Sequence, residues 1–170
     1  MRLFFGLKPD MQTALKIAQW RDQALPPMLH PVPVVNLHVT LSFLGKVQEC
    51  EFEELLMLAD QIHADPIEMV FDQLGYWNKP EILWIGSDEA SESIMNLAAS
   101  LTKIRRRMAL HSETRKYRPH LTIARRCNIP PPMSVVKPHF VTYFDRFTLF
   151  ESMSTKSGIR YRAIQEWMLG

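Results

Sequence analysis

Several signatures are missing from these 170 residues. There are only two cysteines, Cys50 and Cys127, with no C-x-x-C pair and no nearby zinc-ligand spacing. A disulfide framework and a zinc module are therefore excluded as organising features, and the expected state is two free, buried thiols in a reducing compartment. No H-x-H, H-E-x-x-H or acidic cluster offers a convincing metal site, so neither a metal nor a cofactor is expected. No apolar run approaches the roughly 18 residues of a membrane helix. The opening Met1–Leu7 breaks at Lys8-Pro9-Asp10 before reaching signal-peptide length, which predicts a cytoplasmic protein without a membrane partner. The net charge of +2 also lacks the excess that would by itself call for a polyanion.

What is present fits an ordinary folded chain. A hydrophobic fraction of 46% and a charged fraction of 22% are those of globular proteins. The length suits one domain, 1–170, expected to be monomeric. The charge is unevenly spread: Lys103, Arg105, Arg106, Arg107, Arg115, Lys116, Arg118, Arg125 and Arg126 stand against Glu113 alone, nine positive less one negative, or +8. Part of this cluster is expected as a solvated helix end.

The spacing predicts a strand over 2–7, a helix started by Pro9-Asp10 and running to about Leu25, and a proline-rich loop through Pro26, Pro27, Pro31 and Pro33. Met11, Ala14, Leu15 and Ala18 supply the helix's expected core stripe. Leu37–Leu44 alternates His38, Thr40 and Ser42 with Val39, Leu41 and Phe43, which is strand period. A second helix is expected from Glu51 to His63, strands over 67–74 and 82–85 around a turn at Asn78-Lys79-Pro80, and a third helix capped by Asp88. After a Pro130–Pro132 break, strands are expected over 140–150 and 159–168, separated by a turn at 154–158.

Within this order lies a repeat: strand, amphipathic helix, loop, His-x-Thr strand occurs at about 2–44 and again at about 82–125. Arg2 to His38 spans 36 positions and Ile82 to His120 spans 38. Such a duplication folds as two related lobes whose equivalent residues face each other.

One His-x-Thr is weak, and taken singly it is best explained as an edge histidine beside a threonine of high strand propensity. Two in matching context, His38-Val39-Thr40 and His120-Leu121-Thr122, point to chemistry. An imidazole titrates near neutrality, so one of a pair can donate a proton while the other accepts one. That is the requirement of phosphodiester hydrolysis, with each role worth about 10² to 10⁴ in rate. Thr40 and Thr122, two residues along each strand, share a face with their histidine and can hydrogen-bond the non-bridging oxygens. Arg125 is a further candidate for phosphate, although strict alternation from His120 points it to the opposite face. Phe43, Tyr117 and Trp77 are candidates for stacking on a base, or for packing.

The stretches Arg2-Leu3-Phe4-Phe5, Asn36-Leu37-His38-Val39-Thr40-Leu41 with Phe43-Leu44-Gly45, and Pro119-His120-Leu121-Thr122-Ile123-Ala124-Arg125 resemble the 2H phosphoesterases, and most of all their bacterial RNA 2′,3′-cyclic phosphodiesterase (2′-5′ RNA ligase) branch. The likeness extends through Phe147-Thr148-Leu149-Phe150 to Arg160-Tyr161-Arg162 and Trp167. It implies an α+β bilobal fold, two pseudo-symmetric lobes with mainly antiparallel sheets lining a cleft and helices outside. It implies hydrolysis of RNA 2′,3′-cyclic phosphate ends to 2′-phosphates, without a metal, with His38 as proton donor and His120 as proton acceptor. It also implies reversible 2′-5′ joining of tRNA halves at the same site. Two alternatives stay open: the same mechanism on small cyclic nucleotides or 2′-5′ oligonucleotides, and a non-catalytic module that grips RNA ends.

Overall fold

Arg2–Leu7 forms strand β1, and every residue after Arg2 in it is buried. A strand apolar on both faces needs cover on both, which places it inside a sheet. It pairs antiparallel with β2 (Val39–Lys46) on one side and β8 (Arg146–Thr155) on the other. The computed structural model describes residues 1–27, 30–111, 113–131 and 136–170. Its other elements are α1 (Met11–Ala24), α2 (Glu49–Asp60), β3 (Ile67–Phe71), β4 (Gln73–Trp77), β5 (Ile82–Gly86), α3 (Glu92–Arg107), β6 (His120–Ala124), β7 (Phe140–Phe144) and β9 (Gly158–Met168). Seven strands form one sheet in the order β4-β5-β6-β2-β1-β8-β9, β3 and β7 form a second, and every pairing is antiparallel. The α+β class expected from the resemblance is thus observed.

Two segments share one design. The unit β1–α1–β2 returns its second strand beside its first, and β5–α3–β6 does the same. The two units meet where β2 pairs with β6 through Val39 and Leu121.

Asp10 starts α1, its carboxylate accepting the Thr13 N–H at 2.9 Å. The expected stripe is only half of the buried face: Ala14 and Ala18 are buried, but Met11 is 49% and Leu15 46% exposed. The face instead includes Ile17, Trp20 and Arg21. Arg21 decides the rotation, because its buried guanidinium donates to Val32 O at 2.7 Å and to Ile123 O at 3.1 Å. On α3 the cap is Ser91, whose hydroxyl accepts the Ile94 N–H at 3.4 Å, and not Asp88. Asp88 donates its own N–H to the Asp72 carboxylate at 3.0 Å. The stripe of Ile94, Leu97, Ala98, Leu101 and Ile104 is buried as the spacing predicts.

The strand expected over 67–74 breaks at Asp72, where the chain passes from the small sheet to the large one. The strand expected over 140–150 divides likewise into β7 and β8, while β8 and β9 form one long hairpin closing at Thr155 and Gly158. Gly158 takes φ +114°, a conformation that L side chains rarely adopt. Pro132, part of the predicted break, lies outside the described residues. Both cysteines are free, but Cys50 is exposed rather than buried, since it sits in the first turn of α2 away from that helix's packed side at Leu55 and Ala59.

Candidate active site

In an antiparallel pair, residues on either side of a matched pair face each other across the strands. With Val39 opposite Leu121, His38 falls across from Thr122 and Thr40 across from His120. Val39 and Leu121 are both fully buried on the other side, whereas the two histidines and two threonines are partly exposed on this one. A local two-fold axis through the central pair therefore relates the two His-x-Thr motifs.

Each ring is oriented in the same way. His38 Nδ1 lies 2.7 Å from Asn36 O, and His120 Nδ1 lies 2.8 Å from Arg118 O. A carbonyl can only accept, so Nδ1 carries the proton in both rings and Nε2 is left as the reactive nitrogen. His38 Nε2 is within 3.1 Å of Thr40 Oγ1.

Aromatic rings wall both sites. Phe4 and Tyr161 pack on His38 at 4.9 and 4.8 Å between ring centroids, with Phe150 at 6.5 Å. Trp77 packs on His120 at 4.6 Å and Trp84 at 6.1 Å. Gly75 makes room for this arrangement, because a Cβ there would lie 2.1 Å from the Trp84 ring. Burial among the rings disfavours imidazolium, and the Asn36 carbonyl only partly offsets it, so His38 is pulled down from 6.5 to about 4. The charges of Arg125, His120 and Lys8 add to the depression. Burial also lowers His120, partly offset by the Arg118 carbonyl, with Arg125 and Arg118 adding in the same direction.

The Arg125 charge lies near enough to help lower both rings. The Arg125 N–H still completes the antiparallel bridge between Ala124 and Pro31, donating to His30 O at 2.9 Å, but the strand ends at Ala124 and Arg126 takes φ +54°, so strand alternation no longer fixes the direction of the Arg125 side chain. Tyr117 is buried enough to raise its phenol well above the usual range, and its hydroxyl donates to Thr40 O at 2.8 Å. It holds the backbone of the first motif. The Phe43 ring meets His111 at 5.1 Å and lies under the Arg2 guanidinium at 5.8 Å, away from the histidine pair. Of these aromatic candidates, Trp77 is the one packed on a histidine of the His-x-Thr motifs.

Phe4, Trp84, Phe150 and Tyr161 escape the sequence reading as site residues. A signal for two of them exists: aligning the repeat on Arg2 and Ile82 sets Phe4 opposite Trp84. Phe150 and Tyr161 come from the C-terminal hairpin, outside the repeat. Among the described residues no group of three or more His, Cys, Asp or Glu side chains is arranged to hold a metal ion.

A groove of about 1270 Å³ opens beside the motifs, with Thr40, Trp77 and His120 in its lining. His38 lines a separate recess of about 10 Å³ with Phe4, Lys8 and Tyr161.

A sequence profile of the 2′-5′ RNA ligase superfamily matches residues 9–150. The RNA 2′,3′-cyclic phosphodiesterase of Escherichia coli is 30% identical over 173 aligned positions, covering 99% of this chain and 96% of that protein. The protein of the same name from Methanocaldococcus jannaschii is 27% identical, covering 98% and 100%. The crystal structure of E. coli LigT complexed with 3′-AMP superposes with a TM-score of 0.91 at 28% identity, over 99% of this chain and 97% of that one. A crystal structure described as a phosphoesterase gives 0.92 at 28% identity with the same coverage.

Proposed function

The chain belongs to the 2′-5′ RNA ligase superfamily, and on that premise we propose that it is an RNA 2′,3′-cyclic phosphodiesterase, with residues 1–170 acting as one bilobal catalytic unit. The observation that carries this reading is the two-fold pairing of the His-x-Thr motifs across β2 and β6, each imidazole presenting Nε2.

In the proposed reaction Thr40 and Thr122 hold the non-bridging oxygens of the cyclic phosphate, and Arg125 neutralises its charge. His120 takes a proton from water, the hydroxide oxygen bonds to phosphorus, the bond from phosphorus to O3′ breaks, and His38 gives O3′ its proton. The product carries a 2′-phosphate and a free 3′-hydroxyl. The depressed histidines are neutral in the empty site, which suits the base directly. The acid acquires its proton when the phosphodiester anion enters, because a negative charge beside an imidazole favours imidazolium. The donor and acceptor roles follow the family resemblance. Replacing water by an RNA 5′-hydroxyl and reversing the steps gives 2′-5′ joining, with tRNA halves as the candidate substrate. Base stacking falls to Trp77 before Phe43 or Tyr117.

We propose that it acts in the cytoplasm as a monomer; an exposed, unpaired Cys50 suits a reducing compartment.

EDTA-treated protein is expected to open the 2′,3′-cyclic phosphate of a short RNA, with His38→Ala and His120→Ala each losing about 10² to 10⁴ in kcat. Chromatography separating 2′- from 3′-phosphate products checks the leaving group. Activity that survives both substitutions, or a 3′-phosphate product, overturns the mechanism. Turnover of cyclic mononucleotides alone would favour the small-substrate alternative.

A further inference from the structure

Arg105 is only 6% exposed, and among the described residues no ion pair engages its guanidinium, whose nitrogens are not sealed in the core but open onto the groove. A buried charge is normally paired, because removing it from water without a partner is unfavourable. Arg105 lies in the last turn of α3 and lines the large groove that also takes in Thr40 and His120. Around that groove stand Lys103 and Arg106 on the same helix, Arg115, Lys116 and Arg118 on the following loop, and Lys79 on the β4–β5 turn. The one carboxylate in the lining is Glu113. A guanidinium whose stem is packed in the core and whose donors open, unpaired, onto a groove among further cations is placed to receive an anion, and its planar fork of donors matches phosphate oxygens. The volume, about 1270 Å³, exceeds the roughly 300–1,000 Å³ of a site for one small ligand.

We infer that this groove is a second phosphate-binding site, centred on Arg105, which takes internucleotide phosphates of the RNA upstream of its cyclic end and so selects oligonucleotides over mononucleotides. The inference rests on the proposed activity for the polarity of the bound strand. The cyclic phosphate is a 3′-terminal group, so in hydrolysis the only chain left to occupy a groove beside His120 runs toward the 5′ end. Phosphate contacts position a strand without reading its sequence, and the site is expected to tolerate any base.

The test compares the wild type with Arg105→Gln and with the exposed double variant Lys103→Gln/Arg106→Gln. Two substrates are used, adenosine 2′,3′-cyclic monophosphate and a six-nucleotide RNA ending in a 2′,3′-cyclic phosphate. The expected result is a rise of about tenfold in KM for the hexanucleotide with kcat retained, and a change below twofold for the mononucleotide. Fluorescence anisotropy with a hexanucleotide ending in a 3′-phosphate, which needs no turnover, should show about tenfold weaker binding and a shallower salt dependence in the variants. Equal losses on both substrates, or wild-type binding by the double variant, overturn the inference. So does displacement of the RNA by a glutamate-rich peptide at equal charge, since the groove would then be a general acidic-partner surface. A wild type that turns over neither substrate, while the variants still lose RNA binding, defeats the proposed activity and leaves the second site standing.

Discussion

At the scale of single residues, the candidate site holds its two imidazoles where water stabilises their charged forms poorly. Phe4 and Tyr161 do this for His38, and Trp77 and Trp84 do it for His120, so each half of the sheet supplies its own wall. The consequence for pH dependence has a definite sign. In the proposed mechanism the active form has His38 charged and His120 neutral; because His38 is the more depressed, this form is the minor member of the singly protonated state, yet its population still peaks between the two depressed values, one of them about 4 and the other below 6.5. A profile of kcat/KM, which reports the free enzyme, is therefore expected to peak on the acid side of pH 6.5 and to fall above it. In kcat, which reports the complex, the falling limb should lie at higher pH, because the bound anion raises both groups. A kcat/KM that stays level from pH 6.5 to 8.5 would show that burial does not control the pair.

At the scale of elements, what holds α1 against the sheet is partly polar. Arg21 reaches from the helix to Val32 O, before β2, and to Ile123 O, within β6, so one side chain joins the approaches to both motifs. Replacing it by alanine strands two buried carbonyls, and Arg21→Ala is expected to lower stability by roughly 2–5 kcal/mol in urea denaturation. A loss under 1 kcal/mol would mean that water reaches those carbonyls. Arg21 also shows where reading the sequence stops. Helical spacing finds a helix wherever apolar residues recur, and it marked α2 and α3 well, but a buried arginine scores as solvent-facing and so α1 was rotated toward Met11 and Leu15. The motif residues were legible because His-x-Thr repeats in matching strands, and period two alone sets His38 beside Thr40 and His120 beside Thr122. Arg125 was ambiguous because its direction depends on where β6 ends, which the Arg126 backbone decides. Phe150 and Tyr161 were not legible, since their approach to His38 depends on pairing β8 with β1, more than 140 residues apart in sequence. The same non-local choice split the 67–74 and 140–150 strands between two sheets.

At the scale of the whole molecule, the two His-x-Thr units are joined in the sheet by β2 and β6, where the contact centres on Val39 and Leu121, both fully buried. The separation of the two imidazoles is therefore expected to depend on packing beneath this seam, which lies between them, more than on the Arg21 bond that also joins the units at its edge. Truncation of Leu121 should affect catalysis beyond its effect on folding. Leu121→Ala is expected to cost roughly 2–5 kcal/mol, as large-to-small changes in cores do. Leu149→Ala offers the control: Leu149 is equally buried, but it lies in β8 between Phe5 and Gln165 and belongs to one half. Both variants should melt at lower temperature by similar amounts. At a temperature where both remain folded, Leu149→Ala should keep most of its kcat, while Leu121→Ala should lose on the order of 10²-fold, the effect of a displacement of about 1 Å between reacting groups. Equal kcat in the two variants would place control of the imidazole separation elsewhere, in the Tyr117 bond to Thr40 O that holds β2 from the other side of the groove. The expected asymmetry follows from the duplication itself. Two copies of one unit can each be rigid, yet the proposed reaction needs one histidine from each, and of the places where the units meet it is the Val39–Leu121 pair that lies directly between the two motifs.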